Sequence, residues 1–167
     1  EDLNDHDKRC DLYQANIDSS QFWSEPIKLP DYINIPTSTQ TQPNVGYNKL
    51  NNKEVLYFVS DRPGGKGGLD IWYSMIDGNG NFSEPMNLAG LNTIQDDVTP
   101  FYHIPTSTLF YSSKGHLGLG GFDIYQVKDQ ADGWGTIKNC GIPLNSSFDD
   151  LYFVRLTSGT VGYLASN

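Results

Sequence analysis

Cysteine, positive charge, histidine and long apolar runs are all scarce in this chain of 167 residues. Its two cysteines allow one disulfide at most, so the fold cannot rest on the disulfide framework of a small secreted domain. Eleven basic residues stand against twenty acidic ones, for a formal net charge of −9. Such a surface repels nucleic acid, whose binding depends on Lys and Arg neutralising phosphate, and it disfavours anionic membrane surfaces likewise. No apolar run approaches the roughly 20 residues of a membrane-spanning helix, so no direct span is expected. The opening Glu1-Asp2-Leu3-Asn4-Asp5-His6-Asp7 lacks the apolar stretch of a secretory signal. For an exported protein that signal is expected to have been cleaved or to lie upstream.

Chemistry-bearing motifs are scarce too. There is no Gly-x-Ser-x-Gly elbow, no His-Glu-x-x-His and no close Cys/His set, so neither a serine hydrolase nor a zinc site is legible. The histidines, His6, His103 and His116, fall in a tail, an expected inner strand and a glycine loop. His103, beside aromatics on a strand, reads as a satisfied structural histidine rather than an acid–base group. Asp77-Gly78-Asn79-Gly80-Asn81 imitates part of a calcium loop, but Leu88 stands where the closing carboxylate belongs, and a hairpin turn is the better reading. Gly64-Gly65-Lys66-Gly67-Gly68 imitates a phosphate loop. It leads into a strand rather than a helix, so no helix N-terminus waits for an anion. No metal, cofactor or catalytic residue is expected, and the chain reads as a non-enzyme.

What the chain does have is repetition. Asp11-Leu12-Tyr13 returns as Asp70-Ile71-Trp72 and Asp123-Ile124-Tyr125, at spacings of 59 and 53 residues (70 − 11 and 123 − 70). Phe22-Trp23-Ser24-Glu25-Pro26 returns as Phe82-Ser83-Glu84-Pro85 and, loosely, as Trp134-Gly135-Thr136-Ile137. Leu56-Tyr57-Phe58-Val59-Ser60 aligns with Leu109-Phe110-Tyr111-Ser112 and with Gly162-Tyr163-Leu164-Ala165-Ser166, serines 52 and 54 residues apart (112 − 60 and 166 − 112). A period of about 40–50 residues or slightly more, with several strands per unit, marks propeller blades. No stretch sustains a helical period, and 17 glycines with 9 prolines suit many short strands.

The fold class read from this pattern is all-β: a β-propeller segment of four-stranded antiparallel blades, two complete and two half, as part of a larger propeller. Residues 1–9 read as an acidic tail or linker and 10–167 as the blades. In the fullest unit, strands are expected at Glu54–Ser60, Leu69–Ile76 and, on the outer edge with Pro85, Phe82–Leu88. The next unit places them at Thr99–His103, Thr108–Ser113, Phe122–Val127 and Trp134–Cys140. Propellers typically need about four to eight blades to close. The remainder is therefore expected either in a longer polypeptide or in a second copy whose half blades pair with these. Leu29–Val45, with Pro36-Thr37-Ser38-Thr39-Gln40-Thr41-Gln42-Pro43, reads as a surface loop replacing an Asp-Asp segment, a place where partner contacts often lie.

Most conspicuous residues become scaffold on this reading. The glycines of each reversal, Gly67 and Gly68, then Gly120 and Gly121, are expected to supply positive φ. Asp11, Asp70 and Asp123 are expected to accept backbone N–H groups or to meet Arg62 or Lys114. The pairs Asp96-Asp97 and Asp149-Asp150 precede innermost strands and admit two readings. They cap turns, or they form an acidic channel mouth that attracts a basic partner segment or a cation. Cys140 falls where other units carry Leu88 and Leu29 and reads as a small buried hydrophobe, with a Cys10–Cys140 bridge as the alternative. Trp23 and Trp134 are either interface anchors or blade core.

The stretch Ser60-Asp61-Arg62-Pro63-Gly64-Gly65-Lys66-Gly67-Gly68-Leu69-Asp70-Ile71-Trp72 resembles the TolB-type, WD-like β-propeller repeat. Ser112-Ser113-Lys114-Gly115-His116 and Gly120-Gly121-Phe122-Asp123-Ile124-Tyr125 resemble it likewise. The linkers Leu91-Asn92-Thr93-Ile94-Gln95-Asp96-Asp97 and Leu144-Asn145-Ser146-Ser147-Phe148-Asp149-Asp150 are similar to those of OmpA-family envelope proteins of Bacteroidetes-type bacteria. The resemblance spans nearly all of Cys10 to Asn167. It implies a periplasmic, outer-membrane-associated propeller that binds protein partners as a scaffold in an outer-membrane or secretion assembly, the type IX machinery among them. Peptidoglycan association is implied only through a domain outside this chain. The alternative function is an accessory propeller of a periplasmic hydrolase or a glycan-binding protein.

Overall fold

The computed structural model describes residues 9–167. His6 and nearly all of the expected acidic tail lie outside the described residues. Four antiparallel sheets follow one another along the chain. β1 (Tyr13–Gln14) pairs with β2 (Ile27–Lys28). The meander β3 (Gln40–Asn48), β4 (Lys53–Ser60), β5 (Asp70–Ile76) and β6 (Met86–Asn87) forms a four-stranded sheet. β7 (Asp97–His103), β8 (Thr108–Ser113) and β9 (Asp123–Gln130) repeat that order, with the short β10 (Gly133–Trp134) and β11 (Lys138–Asn139) both on β9. β12 (Asp150–Arg155) pairs with β13 (Gly162–Ser166). A 3-10 turn at Ile104–Thr106 is the one helical piece among the described residues.

Period-two alternation in the middle strands decides the packing, because successive side chains point to opposite faces. From β4 and β5, Val55, Tyr57, Val59 and Ile71 meet Val98, Tyr102, Leu109, Tyr111, Tyr125 and Val127 of the next sheet in one core. The alternate residues Leu56, Phe58 and Trp72 face back onto Leu12, Leu29 and Ile33. Phe110 and Ile124 face forward onto Phe153 of the last sheet. Each middle sheet is thus buried on both faces, which is why β4 and β8 read as unbroken apolar runs. Tyr57 and Tyr102 stack across the central junction at 6.0 Å. Phe110 and Phe153 meet at 4.9 Å across the next.

Several expectations need correction. The outer strands are shorter than predicted. Of Phe82–Leu88 only β6 and a bridge from Phe82 to Ile76 remain, and Trp134–Cys140 splits into the ends that became β10 and β11. The segment taken as a surface loop ends in strand, since Gln40–Val45 lies in β3, which pairs with β4. Serine alignment also shifts by one. Ser113, not Ser112, stands opposite Asp123, as Ser60 stands opposite Asp70. Ser60, Ser113 and Ser166 are then evenly spaced at 53 residues (113 − 60 and 166 − 113). The slip matters, because one residue moves every side chain to the other face.

The reversal glycines serve a different purpose from the one expected. Gly64 alone in the first reversal has a positive φ, +94°. At Gly67 a Cβ would lie 2.1 Å from the Gln95 carbonyl oxygen, and at Gly120 one would lie 2.2 Å from that of Phe148. Gly68 and Gly121 press in the same way on the carboxylates of Asp96 and Asp149. These four positions need glycine because the linker into the next sheet passes against them, not because the chain turns left-handed there.

Cys10 is exposed, Cys140 is half-buried, and neither is bonded to the other. The Cys140 N–H donates to the Ile124 carbonyl, as those of Leu88 and Leu29 donate to Ile71 and Leu12. That confirms its equivalence to the two leucines, and burial pushes its thiol up to about 11. Trp134 packs against the central core, whereas Trp23 is exposed.

Two outcomes follow. Gly120→Ala must displace linker backbone and is expected to lose about 1–3 kcal/mol in urea unfolding, as overpacked sites do. Gly78→Ala, with nothing within 4 Å of the new methyl, is expected to be near neutral in the same assay. A thiol reagent at neutral pH should modify Cys10 at once and Cys140 only with unfolding, read by mass spectrometry after timed quenching.

Candidate functional site

The acidic pairs are already in use. Asp96 Oδ1 accepts the Leu69 N–H at 2.9 Å, and Asp149 Oδ1 accepts that of Phe122 at 2.9 Å. Asp97 accepts both the N–H and the hydroxyl of Thr93, and Asp150 accepts both from Ser146. Asp97 and Asp150 are buried and Asp96 and Asp149 are half-buried. Asp97 and Asp150 thus cap their own linkers, whereas Asp96 and Asp149 tie those linkers to the reversals that lead into β5 and β9. Among the described residues no group of three or more His, Cys, Asp or Glu is placed to hold a metal ion.

The repeated aspartates are spent in the same manner. Asp70 accepts the N–H groups of Lys66 and Gly67, and Asp123 accepts those of Leu119 and Gly120. Neither meets Arg62 or Lys114. Asp11 instead pairs with Lys28 at 2.7 Å. Arg62 is buried, bonds the carbonyls of Tyr32 and Ile33, and lies 4.9 Å over Phe58 and 5.2 Å over Trp72. Burial pulls its guanidinium down to about 10. Lys114 lies over Phe122. His103 is satisfied at both ring nitrogens, Nδ1 with the Thr106 hydroxyl at 2.7 Å and Nε2 with the Leu156 carbonyl at 3.0 Å.

Sequence reasoning missed a different constellation. Each of the inner strands β3, β7 and β12 breaks register against its partner at the same place, between Thr41 and Asn44, Val98 and Phe101, and Leu151 and Val154. At each break a residue other than glycine takes a left-handed conformation: Gln42 (φ 52°), Thr99 (φ 53°) and Tyr152 (φ 57°). Each costs on the order of 1–3 kcal/mol and persists only where its surroundings over-determine it. For a β-branched residue such as Thr99 the conformation is an outlier.

The three bulges converge. The Thr99 N–H donates to Gln42 Oε1 at 2.8 Å, and Gln42 Nε2 donates to the Tyr152 hydroxyl at 3.3 Å. Together with Pro43, Pro100, Phe101, Phe153 and Val154 they line a cavity of about 190 Å³. Thr99 is further fixed by its hydroxyl, which donates to Ser112, while Tyr152 is 55% exposed. The only sequence signal was the pair Gln42-Pro43 and Thr99-Pro100 at matching positions. Proline biases the preceding residue to extended backbone, so that signal pointed away from a left-handed bulge.

Models of protein families, curated proteins and solved structures were all compared with the chain, and none matches.

The capping role of Asp97 has a pH signature. Burial outweighs the bonds it accepts from Thr93 and raises its carboxyl above the usual range. Between the ordinary carboxylate range and that raised value, the folded protein holds a proton that the unfolded chain has released. The contribution of this group to stability is complete in acid and is lost as pH rises through the raised value. Asp97→Asn keeps an oxygen for the Thr93 N–H and removes the ionisation. Its stability relative to the parent is expected to improve between about pH 4.5 and about pH 7.5, measured by urea unfolding at both.

Proposed function

We propose that the chain is a run of β-propeller blades acting as a non-enzymatic, protein-binding scaffold in a bacterial cell envelope. Its place would be periplasmic and outer-membrane associated, within an outer-membrane or secretion assembly. The single observation that carries the binding role is the cleft where Gln42, Thr99 and Tyr152 converge. It is strained, repeated in three strands and lined by proline and aromatic side chains rather than by acid–base pairs. Its volume of about 190 Å³ falls below the roughly 300 Å³ at which small-molecule pockets begin. It fits one apolar side chain or the turn of a partner segment. The blade reading is supported by the even 53-residue spacing of Ser60, Ser113 and Ser166 and by sheets stacked face to face in chain order. The envelope setting is supported by the repeat resemblance of Ser60–Trp72 and of the Leu91–Asp97 and Leu144–Asp150 linkers.

A photo-crosslinking residue at Tyr152, in protein produced in the periplasm of a Bacteroidetes-type host, is expected to give a discrete protein adduct. The same residue at Leu50, exposed in the β3–β4 turn, should give none. Tyr152→Gly relieves the left-handed strain and removes the ring. It is expected to keep or raise the melting temperature while weakening partner binding at least about tenfold, the loss typical of an interface hot spot. Equal adducts at both positions, or full binding by the glycine variant, would sink the assignment of the cleft.

A further inference from the structure

A groove between the two middle sheets carries a carboxylate that neither the repeat nor the cleft employs. Asn48 and Asn51 at the β3–β4 turn, Tyr73 of β5, Asn87 of β6, Asp129 of β9 and Trp134 of β10 line it. Its volume of about 270 Å³ is close to the roughly 300 Å³ at which small-molecule pockets begin. None of its lining residues is basic, and none belongs to the cleft of Gln42, Thr99 and Tyr152. Either site can therefore fail alone.

Asp129 and Trp134 stand opposite each other across β9 and β10. Opposed side chains share one face of a sheet, with Cβ atoms about 4.5–5.5 Å apart. In the preceding unit the same place is held by the apolar pair Ile76 and Phe82, so the blade itself does not require a carboxylate there. Asp129 is buried, at 3% exposed. Its Oδ2 accepts the Lys49 N–H at 2.9 Å and the Tyr102 hydroxyl at 2.8 Å. Among the described residues Oδ1 accepts no bond and no Lys or Arg pairs with Asp129; the ion pair they hold joins Lys28 to Asp11. The walls beside it are aromatic. Tyr73 and Trp134, both half-buried, each lie 6.4 Å from the ring of the fully buried Tyr57.

A buried carboxylate is costly until an opposite charge or further donors answer it. Ring faces attract a cation within about 6 Å of their centres, and more strongly where water is excluded. We infer that this groove binds a small organic cation, a primary ammonium or guanidinium on a short carbon chain. Its charge meets Asp129 Oδ1 and its chain lies against Tyr73 and Trp134. The net charge of −9 draws such ligands toward the molecule. A groove of this size takes the cation as a free molecule rather than as the side chain of a partner.

The test is an NMR titration of the chain, read at the indole N–H of Trp134, which Trp134→Phe identifies among the three tryptophans. The ligands are butylamine and butylguanidine, with butanol as the neutral match and methyl glucoside as a neutral sugar. Both cations are expected to shift that signal saturably with a Kd on the order of 1 mM, and butanol is not. Raising salt from about 20 mM to about 500 mM shortens the Debye length several-fold and should weaken their binding. Asp129→Asn keeps an acceptor for the Lys49 N–H and removes the charge. It is expected to weaken both cations at least about tenfold and to abolish the salt dependence. The salt series uses the parent protein, so the test stands even where the variant does not fold. No saturation by about 50 mM, far beyond a millimolar site, would overturn the assignment. So would equal binding of butanol, preferred binding of the glucoside, indifference to salt, or full binding by Asp129→Asn. A protein adduct from the crosslinking residue at Leu50, which also lines the groove, would give the site to a partner and overturn the free ligand.

Discussion

One buried asparagine in each unit grips both backbone groups of a single residue at or beside the start of a strand, and the other junction contacts cluster around that grip. Asn92 accepts the Ile71 N–H and donates to the Ile71 carbonyl; Asn145 does the same at Ile124, and Asn34 at Leu12. An amide is the side chain that offers a donor and an acceptor side by side. Deep in a protein the loss of that amide leaves the N–H without a partner, at about 1–3 kcal/mol, while the carbonyl keeps the bond from Leu88, Cys140 or Leu29. The grip fixes where the linker leaves one sheet and hence where the next inner strand begins. Glycine contacts at Gly67 and Gly120, the aspartate caps and the first ladder bonds of β7 and β12 all fall within a few residues of it.

This arrangement explains how a strongly acidic chain uses its carboxylates. Asp70, Asp96, Asp97 and their counterparts one unit on, Asp123, Asp149 and Asp150, all accept backbone N–H groups at the junctions. Asp70, Asp97, Asp123 and Asp150 are committed to structure, since a buried carboxyl held by several donors cannot also greet a ligand without losing them. Apart from them lies the inner edge, where the bulges of β3, β7 and β12 bring Gln42, Thr99 and Tyr152 together. Their left-handed backbone is held by the hydrogen bonds among themselves and by the rigid sheets behind.

The repeat, the all-β class and the middle strands were legible because a fold that buries both faces of a sheet writes long apolar runs, and glycine-rich reversals punctuate them. The alternation that separates Val55, Tyr57 and Val59 from Leu56 and Phe58 was hidden inside those runs, for every residue is apolar whichever face it takes. The grip of Asn34, Asn92 and Asn145 was half visible as a hydrophobe followed by asparagine: Ile33-Asn34, Leu91-Asn92, Leu144-Asn145. The first copy escaped notice because Asp-Asp does not follow it. The bulges were not legible at all. Gln, Thr and Tyr carry no compositional mark of a positive φ, which goes with the register break of each inner strand against its partner.

The first junction differs from the others in a way that electrostatics accounts for. The Leu69 N–H, held by Asp96, has its counterpart in the Cys10 N–H, held by the Thr39 hydroxyl. The position of Asp97 and Asp150 is Gln40, since its N–H donates to the Cys10 carbonyl as theirs donate to Leu69 and Phe122. Thr93 and Ser146, which follow their asparagines and satisfy the two carboxylates, are replaced by Ile35 after Asn34. A carboxylate at position 40 would be buried without those donors, at a cost of several kcal/mol. A neutral amide there leaves both polar atoms unpartnered, at roughly 1–3 kcal/mol. The deficit is offset by Arg62, whose guanidinium bonds Tyr32 and Ile33 in the same linker and stacks over Phe58 and Trp72. One buried cation, held by carbonyls and ring faces, thus replaces the pair of carboxylates held by hydroxyls and backbone N–H groups in the other two junctions.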